Sequence, residues 1–206
     1  MANVNVYIDG FNLYYGALKR TPYKWLDLGK LCQLVMPDDT IQEIHYFTAR
    51  VSARDYNLTA GHDQGLYLRA LKTVSNLRIT YGLFRTHSVP MYLTDVKPGQ
   101  KVWVDKTEEK GSDVNLASHL LRDAYNKRFE VAAVITNDSD LAEPVRIVTK
   151  EIGLPVGIVS PHEFHSRHLK QHATFLKRIR KSDVRASQFP RTLTDRKGTF
   201  TKPSEW

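Results

Sequence analysis

Three short segments carry carboxylates whose types and spacing could do chemistry. Tyr7-Ile8-Asp9-Gly10-Phe11-Asn12 closes an apolar, β-rich run, and Thr136-Asn137-Asp138-Ser139-Asp140 closes another. Asp113 opens an amphipathic stretch just after Glu108-Glu109-Lys110-Gly111-Ser112. Taken singly, each has a plain structural use. Asp9 can turn the chain and cap a helix, and Asp138 or Asp140 can serve as an N-cap. Taken together they suggest something else. Carboxylates about 4 Å apart repel by a few kcal/mol at a surface-like effective dielectric, so their gathering calls for a cation. Oxygen-only, carboxylate-rich sites suit Mg²⁺ or Mn²⁺. In an otherwise basic chain, that points to metal-dependent chemistry on phosphodiesters.

Other chemistries have less behind them. His162, His165, His168 and His172 lie at partly helical spacing, but without cysteines or acids at ligand spacing they read as a solvated or phosphate-contacting face rather than zinc. Ser112 and Ser139 have no histidine–acid arrangement beside them, which disfavours a serine nucleophile. Neither a phosphate-loop Gly-x-x-x-x-Gly-Lys-Ser/Thr nor a dinucleotide Gly-x-Gly-x-x-Gly occurs. Cys32, beside Leu31 and Leu34, reads as a small buried hydrophobe.

The elements that must position the acids alternate along the chain. Val4–Ile8 is a strand, Gly10–Lys19 a helix ended at Thr21-Pro22, and Leu28–Met36 a helix stopped by Pro37. Ile41–Val51 and Leu77–Phe84 read as strands around a helical region at 55–76. Residues 88–106 differ, since two β-rich runs flank Lys97-Pro-Gly-Gln as an inserted hairpin. Asp113–Lys127 is an amphipathic helix with Ser112 as N-cap, followed by the apolar strand Val131–Ile135. Leu141–Ile152, stopped by Gly153, and Pro155–Val159 complete a right-handed βαβ unit. His162–His172 is the last helix. The alternation predicts an α/β fold with a mostly parallel sheet and helices on both faces. In such sheets ligands bind beyond the strands' carboxyl ends, where the strand order reverses. Asp9 and Asp138 both stand at carboxyl ends.

The chain has 206 residues, 41% of them hydrophobic, enough for one domain with a core. No run approaches the ~18 apolar residues of a membrane helix. The N-terminus lacks a signal-like apolar region, and the single cysteine forms no internal disulfide, so a reducing, cytoplasmic setting is expected. The net charge is +8, and residues 177–206 hold nine basic residues against three acidic ones. The expected organisation is a domain over 1–176 and a basic tail over 177–206 that attracts a polyanion and, lacking an apolar period, stays outside the fold.

The three acidic blocks, Tyr-Ile-Asp9-Gly-Phe-Asn12-Leu, Glu109-Lys110-Gly111-Ser-Asp113-Val-Asn-Leu and Asn137-Asp138-Ser139-Asp140-Leu followed by Glu-Pro-Val, occur in an order that resembles the NYN domains, a branch of the PIN-like nuclease superfamily. The resemblance runs over roughly residues 4–172. It implies a three-layer α/β/α PIN-like fold and Mg²⁺- or Mn²⁺-dependent endoribonuclease chemistry that leaves a 3′-hydroxyl and a 5′-phosphate. By resemblance Asp9, Asp113, Asp138 and Asp140 are metal-site positions. Asn12 positions a carboxylate or the substrate, and Lys110 contacts a phosphate or restrains Asp113.

One position departs from the pattern. Many relatives carry an aspartate where this chain has His119, six residues after Asp113, so His119 is a candidate accessory ligand or proton-transfer group. For RNA, single-stranded or structured, the candidate contacts are Arg50, Arg54 and Arg85 near strand ends, with Lys101 and Trp103 of the hairpin. Trp103 and Tyr92 could equally pair across the hairpin. No membrane contact is expected, and a two-fold homodimer is the oligomer that base rates favour. The competing reading is a non-catalytic RNA-binding or adaptor module on the same fold. Concentrated negative charge where phosphates must lie argues against it.

Overall fold

The computed structural model describes residues 1–51, 58–93, 99–204 and 206. Its centre is a six-stranded, wholly parallel sheet in the order β3-β2-β1-β6-β7-β8. These strands are β1 (Asn3–Asp9), β2 (Thr40–Thr48), β3 (Leu77–Tyr81), β6 (Val131–Ile135), β7 (Val156–Ser160) and β8 (Phe175–Arg178). Between β2 and β6 in the chain come β4 (Leu83–Tyr92) and β5 (Lys101–Lys110), which pair only with each other. The strand alternation sorts the core. Val4, Val6, Ile8, Ala133 and Ile135 join one apolar cluster, while Tyr7, Ala132, Val134, Val156 and Ile158 join another. The first is covered by α2 (Leu28–Val35) and α3 (Ala60–Leu71), the second by α4 (Ser112–Tyr125) and α5 (Ala142–Arg146) with its π-helical continuation Ile147–Ile152. Helices thus bury both faces, the arrangement parallel sheets require.

Local outcomes differ from the sequence reading in a few places. The helix after β1 is α1 (Gly10–Leu13) run on as a π-helix, Tyr14–Leu18. The strand expected over Leu77–Phe84 breaks at Gly82, where a Cβ would collide with the Glu109 carboxylate and the Lys110 carbonyl. The hairpin is therefore longer than 88–106 and runs from Leu83 to Lys110, the first half of its expected turn at 97–100 lying outside the described residues. Ser112 is the first residue of α4 rather than its cap. Gly111 stands before it at φ 95°, a left-handed conformation that favours glycine. The last expected helix shortens to α6 (Arg167–His172).

The C-terminal region is not a free tail. The expected boundary after residue 176 falls inside β8, and α7 (Lys181–Ala186) and the hairpin of β9 (Thr192–Asp195) and β10 (Gly198–Thr201) follow. Trp25, fully buried, is ringed by Tyr67, Phe189, Phe200 and Trp206 at centroid distances of 6.0–6.4 Å. Its Nε1 donates to the Pro190 carbonyl at 2.9 Å. Arg69 of α3 makes paired hydrogen bonds to Asp195 at 2.6 and 2.7 Å and stacks on Phe200 at 4.1 Å. Apolar residues widely spaced in sequence leave no periodic signal, yet each finds the same indole. Phe200→Ala should therefore cost about 3 kcal/mol of stability in a denaturant melt, and removal of residues 182–206 should leave a chain that melts far earlier or does not fold. A truncated protein with the full-length melting temperature would return the segment to the status of a tail.

Candidate active site

The strand order reverses between β1 and β6, and the acidic segments stand at the carboxyl ends of these two neighbours. Asp9 ends β1, only 4% exposed. Its Oδ1 accepts from the Asn12 N–H at 2.9 Å, capping α1, and its Oδ2 accepts from Thr136 Oγ1 at 3.1 Å. The Thr136 oxygen in turn accepts from the Asp138 N–H at 3.1 Å, and Asp138 Oδ1 caps the next turn through the Asp140 N–H at 3.0 Å. Asn12 Oδ1 accepts from Asn137 N–H at 2.9 Å, and Asn137 Oδ1 from Ser166 N–H at 2.7 Å. The capping role and the site role are thus served by the same side chains. A hydrogen-bonded lattice across three strand ends fixes where Asp9 and Asp138 stand.

Asp113 arrives from the other direction, in the first turn of α4. That turn is set by Gly111 and by Glu109, whose carboxylate accepts from Ser112 N–H at 3.0 Å and Ser112 Oγ at 2.7 Å. Burial, then the charges of Asp9, Asp138, Glu109 and Asp140, push the Asp113 carboxyl up to about 6. Burial likewise raises Asp9, with Asp138 adding to it and the Asn12 and Thr136 hydrogen bonds opposing it. Among the described residues no salt bridge reaches Asp9, Asp113, Asp138 or Asp140. The N-terminus of α4 offsets part of this charge through its dipole, by well under what two carboxylates cost. Donors of this kind fit a hard divalent cation.

The acids open onto a cleft of about 1050 Å³ lined by Asp9, Asn12, Glu109, Asp113 and Asp138 together with an aromatic wall, including Phe11, Tyr15 and Phe84. Phe11 and Phe84 meet edge to face at 5.6 Å, and Lys19 stands 4.7 Å over the Tyr15 ring. Asp140 is exposed and outside the lining, though its charge reaches Asp113. Lys110 does not restrain Asp113. It pairs with Glu108 at 3.1 Å. The expected RNA contacts also stand elsewhere. Arg50 stacks on Tyr81 at 5.0 Å, Arg85 lies opposite Glu108 on the hairpin, and Lys101 covers Tyr92 at 4.7 Å. Trp103, 75% exposed, faces Pro90 across the hairpin rather than Tyr92. None of these four lines the cleft, and Arg54 lies outside the described residues.

His119 is likewise drawn away from the acids. It packs against Phe47 at 5.3 Å and His45 at 5.8 Å, and its charged neighbours are Arg122 and Asp123. His45, His119 and Asp123 bring ligand atoms within 4.8 Å of one another, and Asp9, Asp113 and Asp138 do not all approach so closely. Of the histidines near residue 165, His162 lines the cleft while His165 Nε2 meets the Lys177 carbonyl at 2.9 Å. Sequence reasoning passed over Glu109, although it stands in the motif block, and Thr136, whose only signal is its place directly after β6.

The crowding of Asp113 has a measurable sign. A carboxyl raised from 3.8 to about 6 holds its proton more tightly in the folded chain. Stability from this group is present at low pH and declines as pH rises between about 4 and 6. In EDTA, Asp113→Asn should melt higher than the parent at pH 7, and the difference should shrink at pH 4. Equal melting at both pH values would mean the carboxylates do not strain the metal-free protein.

Three comparisons with known proteins bear on the fold and the family. A protein of unknown function, VPA0982, from Vibrio parahaemolyticus RIMD 2210633 superposes with a TM-score of 0.58 at 13% identity, covering 87% of this chain and 93% of that one, a likeness of fold alone. A curated relative, the 6-hydroxy-3-succinoylpyridine 3-monooxygenase HspA of Pseudomonas putida (strain DSM 28022 / S16), is 29% identical over 234 aligned positions, which span 98% of this chain and 74% of the relative. The NYN domain family matches residues 3–179. That match spans nearly the whole chain, and the chain belongs to the NYN domain family.

Proposed function

We propose that this protein is a divalent-metal-dependent endoribonuclease acting on single-stranded RNA. The observation that carries the reading is a set of carboxylates, Asp9, Asp113 and Asp138, that no salt bridge reaches among the described residues and that line one cleft together with aromatic side chains. Mg²⁺ or Mn²⁺ bound there would supply an acidified water and charge stabilisation for in-line attack on a phosphodiester.

The chain's own residues do the rest. Thr136 and the Asn12 amide hold both oxygens of Asp9 in a fixed plane. Asn12 ties the β1 end to the loop after β6, so Asp9 and Asp138 keep their spacing. Glu109 fixes the first turn of α4 and with it Asp113. Phe11, Phe84 and Tyr15 offer ring faces and edges to unstacked bases, and Lys19 and Lys24 offer charge to the backbone. Duplex RNA cannot present its bases in this way, which favours an unpaired strand. The surplus positive charge of the chain draws the polyanion in.

A second reading comes from the relative named as a succinoylpyridine monooxygenase. A substituted pyridine is a small aromatic ring, and the same aromatic wall would accept one. The retained, uncompensated acids favour phosphodiester chemistry.

The two readings separate in one experiment. A pool of single-stranded and structured RNA is incubated with protein and Mn²⁺, with EDTA, and with Asp138→Asn. The variant keeps the shape and loses one charge, so cleavage should fall by orders of magnitude while RNA binding survives or tightens. Single-stranded regions should be cut first. Cleavage that persists in EDTA or in the variant would overturn the mechanism, and no cleavage of any RNA would overturn the assignment as a nuclease.

A further inference from the structure

A second group of ligating side chains lies under α4, on the same face of the sheet as Asp9 but deeper. His45 of β2 is 4% exposed and Asp123 of α4 is fully buried. With His119 they place one ligand atom each within 4.8 Å of the others. The Nε2 of His45 is buried and makes no hydrogen bond. It nevertheless stands 3.2 Å from Glu43 Oε2 and 3.7 Å from Asp123 Oδ2. An imidazole nitrogen aimed at two carboxylate oxygens, without a hydrogen bond to either, leaves room for a cation between them.

The surroundings hold these groups as ligands are held. Asp123 Oδ1 accepts from Arg122 Nε at 2.9 Å and Arg122 Nη2 at 2.8 Å, with Arg128 Nη1 at 3.5 Å. Its other oxygen, which accepts from the Tyr7 hydroxyl at 3.0 Å, faces His45. Outer hydrogen bonds of this kind orient ligating carboxylates. The Tyr7 ring stacks on His45 at 5.0 Å and 10°, fixing the imidazole plane. The guanidiniums offset the charge of Asp123, and Glu43 brings a second negative charge from a side chain that is 41% exposed, giving a path from solvent.

We propose that His45, His119 and Asp123, with Glu43 beside His45, form a second metal site for a tetrahedral transition ion of the Zn²⁺ class. Two imidazole nitrogens and a carboxylate oxygen suit such an ion, with its fourth position open to water, whereas Mg²⁺ prefers oxygen alone. The site is separate from the acidic edge and independent of its chemistry. It joins β2 to α4, the helix whose first turn carries Asp113, so a bound ion pins that helix to the sheet.

The test is a titration of the metal-free full chain with Co²⁺ under saturating Mg²⁺, followed by visible absorption. Tetrahedral Co²⁺ absorbs far more strongly than the octahedral, oxygen-bound ion. One equivalent should give the strong band, and Zn²⁺ should displace it. Asp138→Asn should keep the band. His119→Ala and Glu43→Gln change side chains that are not fully buried, so both should fold, as circular dichroism will show, and both should weaken or lose it. A wild-type spectrum no stronger than hydrated Co²⁺ would overturn the proposal, as would full bands in both folded variants.

Discussion

Negative charge gathered where the sheet reverses its strand order, with no salt bridge to it among the described residues, is the constraint on which the rest of this structure depends. Burial, and then the charges of the neighbouring carboxylates, push Asp113 up to about 6. A fold that only needed caps at these turns would have spread them or paired them with lysines. Lys19 and Lys24 line the same cleft, yet among the described residues neither they nor any other cation makes a salt bridge to these acids. Lys110, adjacent to the motif, turns to Glu108. Arg69 holds Asp195, and Arg146 holds Glu143 and Glu151. The acids are thus left unpaired among the described residues while the Asp9–Thr136–Asp138 hydrogen bonds fix two of them in place.

The architecture supplies what that arrangement needs. β1 and β6 are interior strands, buried on both faces, so the bases on which Asp9 and Asp138 stand cannot shift without disturbing two cores. The C-terminal segment closes one of these cores around Trp25, and Trp206 reaches the lining of the cleft itself. Residues far apart in the chain thus set one wall of the site.

The central sheet was legible because its strands are short apolar runs separated by amphipathic stretches, and buried parallel strands leave that pattern. Asp9, Asp113 and Asp138 stood out in the sequence because each follows a strand or opens a helix, and all three line one cleft, whereas Asp140 falls outside its lining. What was not legible was direction. Arg50, Lys101 and Trp103 have the chemistry of RNA contacts, but stacking on Tyr81 and Tyr92 and the register of the hairpin aim them away from the cleft. His119 sits less than two turns from Asp113 in sequence, yet a helix rotates about 100° per residue, and six steps carry it to His45. The aromatic wall was invisible for the opposite reason. Phe11 and Tyr15 share the helical run after β1, but Phe84 comes from the hairpin and Trp206 from the far end of the chain, and only the fold collects them.

Thermal unfolding with and without Mn²⁺, on the parent protein and on Asp9→Asn, tests the central claim most directly. An ion held by the native acids and not by the unfolded chain stabilises by mass action, about 2.7 kcal/mol at 100 times its dissociation constant. The parent should therefore melt higher in Mn²⁺, and Asp9→Asn, which keeps the shape of Asp9 and removes its charge, should lose that rise. Parent and variant responding alike, whether by the same rise or by none, would contradict a metal centre at the carboxyl edge of the sheet.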